Sequence, residues 1–304
     1  MGRIATRALA LAGLAIALLA QAPVFRVDVR LVRMLVTVKD NAGRLIGSLA
    51  KQDFTISDNG VPQELAVFER QTAQPLSVSV LLDTSASTGI KLRYEVESVG
   101  RFLRALFESG NPDDMASLYG FNWEVTVLSN FTRRLARLEG ALKGIKSEGG
   151  TSMYDAIYLA AERLEDRDGR RVMVLVTDGG DTTSAKTFHE ALEAAHHADA
   201  VLYAVLVMPI TNDPGRNIGG ENALYTLSTG TGGRVFAPTV GPALDAAFSD
   251  ILKDLRTQYL LGYYPRNVPP SRERFHRVEV TVNQPGLRAI SRNGYYGESR
   301  ATTR

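Results

Sequence analysis

The chain has no cysteine, so a disulfide framework is excluded and stability must come from a packed core. Neither sign of charge prevails, with 35 basic against 33 acidic residues and a net charge of +2. That balance leaves no electrostatic footprint for nucleic acid and no basis for membrane-surface binding. Several enzyme signatures are also missing. There is no G-x-S-x-G elbow. His189-Glu190 with His196 and His197 fails the H-E-x-x-H spacing, which leaves a solvated helix face. The STGTGG stretch, residues 228–233, lacks the G-x-G-x-x-G spacing and reads as a helix end. An aspartyl-nucleophile phosphatase would need a second carboxylate two residues after Asp83, where Ser85 stands.

No hydrophobic run reaches the roughly 20 residues of a membrane-spanning helix. The longest, ALALAGLAIALLA at residues 8–20, follows Arg3 and Arg7 and ends at Ala20-Gln21-Ala22. That is a signal-peptide pattern, with cleavage expected near Ala22 and no membrane span afterwards; retention as an anchor is the alternative. Without a cysteine at that point there is no lipid-attachment site. A secreted or periplasmic protein is expected.

At 304 residues, 44% of them hydrophobic, the chain is globular and long enough for about two domains. Residues 25–31 alternate strictly, and residues 34–38 alternate again with the phase shifted by one, which suggests a bulge between two strand halves. Asp40-Asn41-Ala42-Gly43 is a turn, and Asp58-Asn59-Gly60 is a hairpin signal. From Pro75 the pattern changes. Apolar strand runs (LSVSVLL, MASLYGF, RVMVLVT, AVLYAVLV) alternate with helical patterns over residues 92–106, 135–145, 153–164, 188–198, 223–228 and 244–255. This implies a doubly wound, mostly parallel α/β sheet. After Pro265 the β pattern returns in FHRVEVTVNQPGLRAI and RNGYY. The expected order is a signal peptide (1–22), the first part of a small β-sandwich-like domain (23–74), an inserted α/β domain (75–265), and the remainder of the sandwich (266–298).

Ligands of open α/β sheets sit beyond the carboxyl ends of the parallel strands. Tracing strand and helix directions brings three loops to that end: DTSAS with Asp83, Ser85 and Ser87; GGTS with Thr151; and TDGGD with Asp178. Helix capping accounts for each singly but not for their convergence. Gly149 and Gly150 lack side chains that would crowd an ion, and a cation site is the expectation. Trp123, the only tryptophan, lies at the upper hairpin turn, and the loop of residues 209–220 with Asp213 and Arg216 lies on the same face. These three are candidate rim contacts for a partner; a packed tryptophan and a solvated loop are the competing reading. Asp181 reads as a helix cap and Asp155 as structural. The β sandwich should sit at the opposite pole.

These residues resemble a von Willebrand factor type A domain with its metal-ion-dependent adhesion site. That family's D-x-S-x-S motif matches Asp83, Ser85 and Ser87, its separate threonine matches Thr151, and its later aspartate in a TDG context matches Asp178. The resemblance covers about residues 75–265, and the flanking β segments resemble a bacterial group of secreted proteins built around such a domain. It implies a Rossmann-like fold and a metal held by Ser85, Ser87 and Thr151, with Asp83 and Asp178 acting through water or hydroxyl bonds. Mg²⁺ or Mn²⁺ suits such a set better than Ca²⁺, which prefers more ligands. The open position would take a Glu or Asp carboxylate from a protein partner, giving a binding module and no catalysis. The resemblance also implies that the last α/β helix can shift when ligand binds. A metal-stabilised structural module is the alternative, and metal-assisted hydrolysis lacks a general base.

Overall fold

The computed structural model describes residues 31–70, 73–89, 91–207, 218–269 and 274–297. The segment read as a signal peptide, the alternating stretch of residues 25–30, and Asp213 and Arg216 lie outside them.

The β segments come first: β1 (Val32–Asp40), β2 (Phe54–Asp58), β3 (Val61–Gln63) and β4 (Leu65–Glu69). β2 and β3 form the hairpin read from Asp58-Asn59-Gly60, with φ of 47° at Asn59 and 80° at Gly60. Two positive φ values define the turn whose twist matches paired strands, and Asn-Gly tolerates them best. The α/β portion follows as β5 (Leu76–Asp83), α1 (Leu92–Glu108), β6 (Met115–Phe121), β7 (Val125–Thr132), α2 (Leu135–Ala141), α3 (Met153–Glu165), β8 (Arg170–Thr177), α4 (Phe188–His197), β9 (Ala200–Leu206), α5 (Ile218–Gly230), β10 (Val235–Phe236) and α6 (Pro242–Thr257). The chain closes with β11 (Tyr259–Tyr263), β12 (Phe275–Val282), β13 (Leu287–Ile290) and β14 (Gly294–Tyr296).

The six-stranded sheet has the order β10-β9-β8-β5-β6-β7 and is parallel except for β7. All eight residues of β5 are buried, because helices cover both faces. Val78, Val80 and Leu82 face α1 and α6, whereas Leu81 faces α3. The doubly wound sheet expected from the sequence is the one observed.

The other two sheets, β13-β1-β11-β4 and β14-β12-β2-β3, enclose a shared core of Met34, Val36, Phe54, Ile56, Tyr259, Leu261, Tyr263 and Val278. Inside it Asp58, wholly buried, accepts hydrogen bonds from Tyr263 (2.9 Å) and Tyr295 (2.8 Å) and lies 3.1 Å from His276 Nδ1. One carboxylate thereby ties strands of both sheets together.

β11 corrects the sequence reading, which carried the α/β domain to Pro265 and named no strand there. Residues 259–263 pair with β1 and β4 instead. All five are buried, so YLLGY shows no polar alternation and a short apolar run beside a helix is not recognised as a strand. α2 ends at Ala141, not near Ile145, with a left-handed Gly144 (φ 79°) just beyond. α5 is longer than residues 223–228, since its Gly-Gly start carries no apolar period.

The sandwich meets the amino ends of the parallel strands. Arg170, the first residue of β8, ties the chain entering β5 to the end of α6 by donating to Gln74 O (3.3 Å) and to Leu255 O. Arg292 donates to Asp199 and to Arg33 O (2.8 Å). Asp254 of α6 takes Lys39 of β1 at 3.2 Å and Arg234 at 2.8 Å. Asp83 stands at the far end of β5. Among the described residues no helix is long and apolar enough to cross a membrane.

Candidate metal centre

Asp83, wholly buried, ends β5. Its Oδ1 accepts the Ser85 N–H at 2.8 Å and its Oδ2 the Thr177 hydroxyl at 2.6 Å. Burial pushes its pKa up to about 6, opposed by the bonds from Ser85 and Thr177 and reinforced by the charge of Asp178. Ser85 Oγ lies 3.1 Å from Ser87 Oγ, and Ser87 Oγ donates to Asp178 Oδ1 at 2.9 Å. Asp83, Ser85, Ser87 and Asp178 therefore form one hydrogen-bonded chain across the ends of β5 and β8.

Backbone bonds join the middle loop to it. Glu148 N donates to Thr84 O at 2.9 Å, Ala86 N to Gly149 O at 3.2 Å, and Ser147 Oγ to Ser85 O. Thr151 is buried on this loop and held by the third one: its N–H donates to Thr182 Oγ1 at 2.8 Å, and its carbonyl accepts from the N–H groups of Thr182 (2.8 Å) and Thr183 (3.2 Å). No hydrogen bond among the described residues links its hydroxyl to the other four.

Gly149 and Gly150 are both closely approached by side chains of other loops. A Cβ on Gly149, whose φ is +75°, would stand 2.9 Å from the Trp123 ring, and one on Gly150 2.6 Å from the Thr183 side chain. Both therefore make room for neighbouring side chains. Trp123 is 63% exposed, and its carbonyl accepts from Ser152 Oγ at 3.0 Å. Asp181 does cap a helix, the remote α3, accepting from Met153 N at 2.8 Å and Tyr154 N at 3.2 Å. Asp155 accepts from the N–H groups of Ala185 (3.0 Å) and Lys186 (2.7 Å), a structural use. His189 and His197 are exposed on α4 as expected, but His196 is buried against Phe275 and Tyr296.

Sequence reasoning missed three residues. Thr177 braces Asp83. Lys91 reaches Asp178 Oδ2 at 2.8 Å and Val207 O at 3.3 Å. Glu95 is fully buried, and among the described residues neither of its carboxylate oxygens is hydrogen-bonded. It falls between Leu92 and Val99 on the apolar stripe of α1, and a glutamate at such a position was the available signal.

The donor set fits a hard cation in kind: hydroxyl oxygens that now bond one another, and two carboxylates anchored at adjacent strand ends. No group of three or more His, Cys, Asp or Glu with metal-holding geometry occurs among the described residues, so hydroxyls would have to supply part of any coordination.

Residues 78–180, which include all five candidate positions, match the family model of the von Willebrand factor type A domain. Over those residues the chain is similar to that domain. Among solved structures the chain is similar to the PilB minor pilin from Streptococcus sanguinis, at 15% identity over 61% of this chain and 62% of that one, with a TM-score of 0.49. It thus spans less than two thirds of that pilin. The vWF domain of the type V pili tip protein Mfa5 from Porphyromonas gingivalis aligns at 14% identity over 60% of this chain and 95% of that one, with a TM-score of 0.49. The pilus adhesin SpaC from Lactobacillus rhamnosus GG, in an open conformation, aligns at 10% identity over 86% of this chain and 47% of that one, with a TM-score of 0.51. At 10% identity the likeness to SpaC speaks for the fold alone. No curated protein matched the sequence.

Proposed function

We propose that this is an extracytoplasmic protein-binding module in which Asp83, Ser85, Ser87, Thr151 and Asp178 hold a divalent cation, Mg²⁺ or Mn²⁺, that recruits an acidic residue of a partner protein. The observation that carries this reading is the hydrogen-bonded chain from Asp83 through Ser85 and Ser87 to Asp178, braced by the loop bearing Thr151. A bound cation would offer an electrophilic open position to a carboxylate. The residues of the chain would keep it so: Ser85 and Ser87 are neutral donors, and Asp83 and Asp178 are already engaged by hydroxyls. The exposed Trp123 ring supplies an apolar contact beside the site. The D-x-S-x-S resemblance, the matched domain and the fold shared with a pilus adhesin support binding over catalysis, and the signal-peptide pattern supports export.

A second reading draws on Lys91. Its ion pair with Asp178 at 2.8 Å joins two of the loops without a metal, which suits a module whose centre is structural only. Pull-down from a native cell envelope separates the two. Association that chelator abolishes, Mg²⁺ restores and Asp83→Ala lacks supports the binding reading. Association indifferent to chelator and to Asp83→Ala refutes it.

A further inference from the structure

Two charged residues of α1 and its threshold lie against the candidate centre and have no part in the metal-binding reading. Lys91, immediately before α1, carries the ammonium group found on Asp178, at 2.8 Å, and its side chain is only 14% exposed. The other Asp178 oxygen accepts the Ser87 hydroxyl. Lys91 therefore satisfies the carboxylate that a divalent cation needs. Four residues on, Glu95 is wholly buried and neither oxygen has a hydrogen-bond partner among the described residues. Its charged form is disfavoured by burial and by Asp83 and Asp178, and favoured by Lys91. A buried carboxyl without a partner is costly and calls for a reason.

We propose that Lys91 is a tethered counter-ion for Asp178 that a divalent cation displaces onto Glu95, so that this pair sets the affinity of the centre for metal. The inference rests on the metal-binding reading. Two cations against one carboxylate in a largely dry site repel strongly, so the ammonium must withdraw as the metal enters. Residues four apart on a helix are neighbours, which makes Glu95 the acceptor within reach. The buried, unpartnered carboxyl is then a vacant berth for Lys91 in the loaded state.

The test is calorimetric titration of the chelator-treated full chain with MgCl₂ and with MnCl₂. Lys91→Met, which keeps the stem and removes the charge, should bind about tenfold more tightly than wild type, the loss of one close like charge. Glu95→Gln should bind several-fold more weakly in the wild-type background and be silent in the Lys91→Met background. Lys91→Gln repeats the charge removal should the methionine variant fail to fold, with circular dichroism as the check. Unchanged or weaker binding in the folded charge-removed variant overturns the proposal. So does an equal effect of Glu95→Gln in both backgrounds. Wild type and variants that all fail to bind either metal would instead overturn the metal-binding reading itself.

Discussion

Glu95 offers a measurement on the metal-free protein. Burial, with Asp83 and Asp178 nearby, pushes its pKa from 4.5 up to about 8. The folded state therefore retains a proton that the unfolded chain has released, and stability falls as pH rises from about 4.5 through about 8. Between pH 6.5 and 8 the two titration curves give a loss of about 1.5 kcal/mol in unfolding free energy. Glu95→Gln has nothing to titrate, so its advantage over wild type should grow by that amount across the interval. His196, held down at about 4 by burial and Arg292, contributes equally to both proteins and drops out of the difference. Urea unfolding at the two pH values, with chelator present, reads the effect as a relative midpoint change of about 0.5 M at an m-value of about 3 kcal/mol/M. Parallel pH dependence in the two proteins would show that Glu95 does not ionise in this window and would refute the reasoning.

Two further substitutions probe the frame. Asp58→Ala leaves the Tyr263 and Tyr295 hydroxyls and the His276 ring without their shared acceptor, and should cost about 3 kcal/mol in thermal unfolding; a cost below about 1 kcal/mol contradicts that account. Gly149→Ala meets both a left-handed φ and the Trp123 ring, and should destabilise by about 1 to 2 kcal/mol. Because Trp123 is the only tryptophan, its emission should shift as well, and unaltered emission together with unaltered stability would contradict the packing described.

The α/β sheet was legible because its strands are long apolar runs separated by amphipathic helices, and direction tracing then placed Asp83 and Asp178 at one end. β11 was hidden because burial of every residue in YLLGY erases the alternation that marks a strand. Lys91 and Glu95 were hidden for another reason. Charged residues near a helix start read as solvated, and only packing shows one as an ion pair with a residue 87 positions away and the other as a buried acid. Gly149 and Gly150 were rightly noticed, but which side chains they make room for depends on the Trp123 hairpin and the 182–183 loop.

The sandwich draws its strands from residues 32–69 and 259–296, and the six-stranded sheet is spliced between them. Tension applied at residues 31 and 297 would therefore run through β1, β11, β12 and β14. The candidate metal centre, at the far end of the other sheet, is a side branch off that load path. A partner could remain gripped there while the sandwich carried the strain, with the Lys39–Asp254–Arg234 cluster and the Arg292–Asp199 pair as the joint where a pull on the partner first meets the rest of the chain.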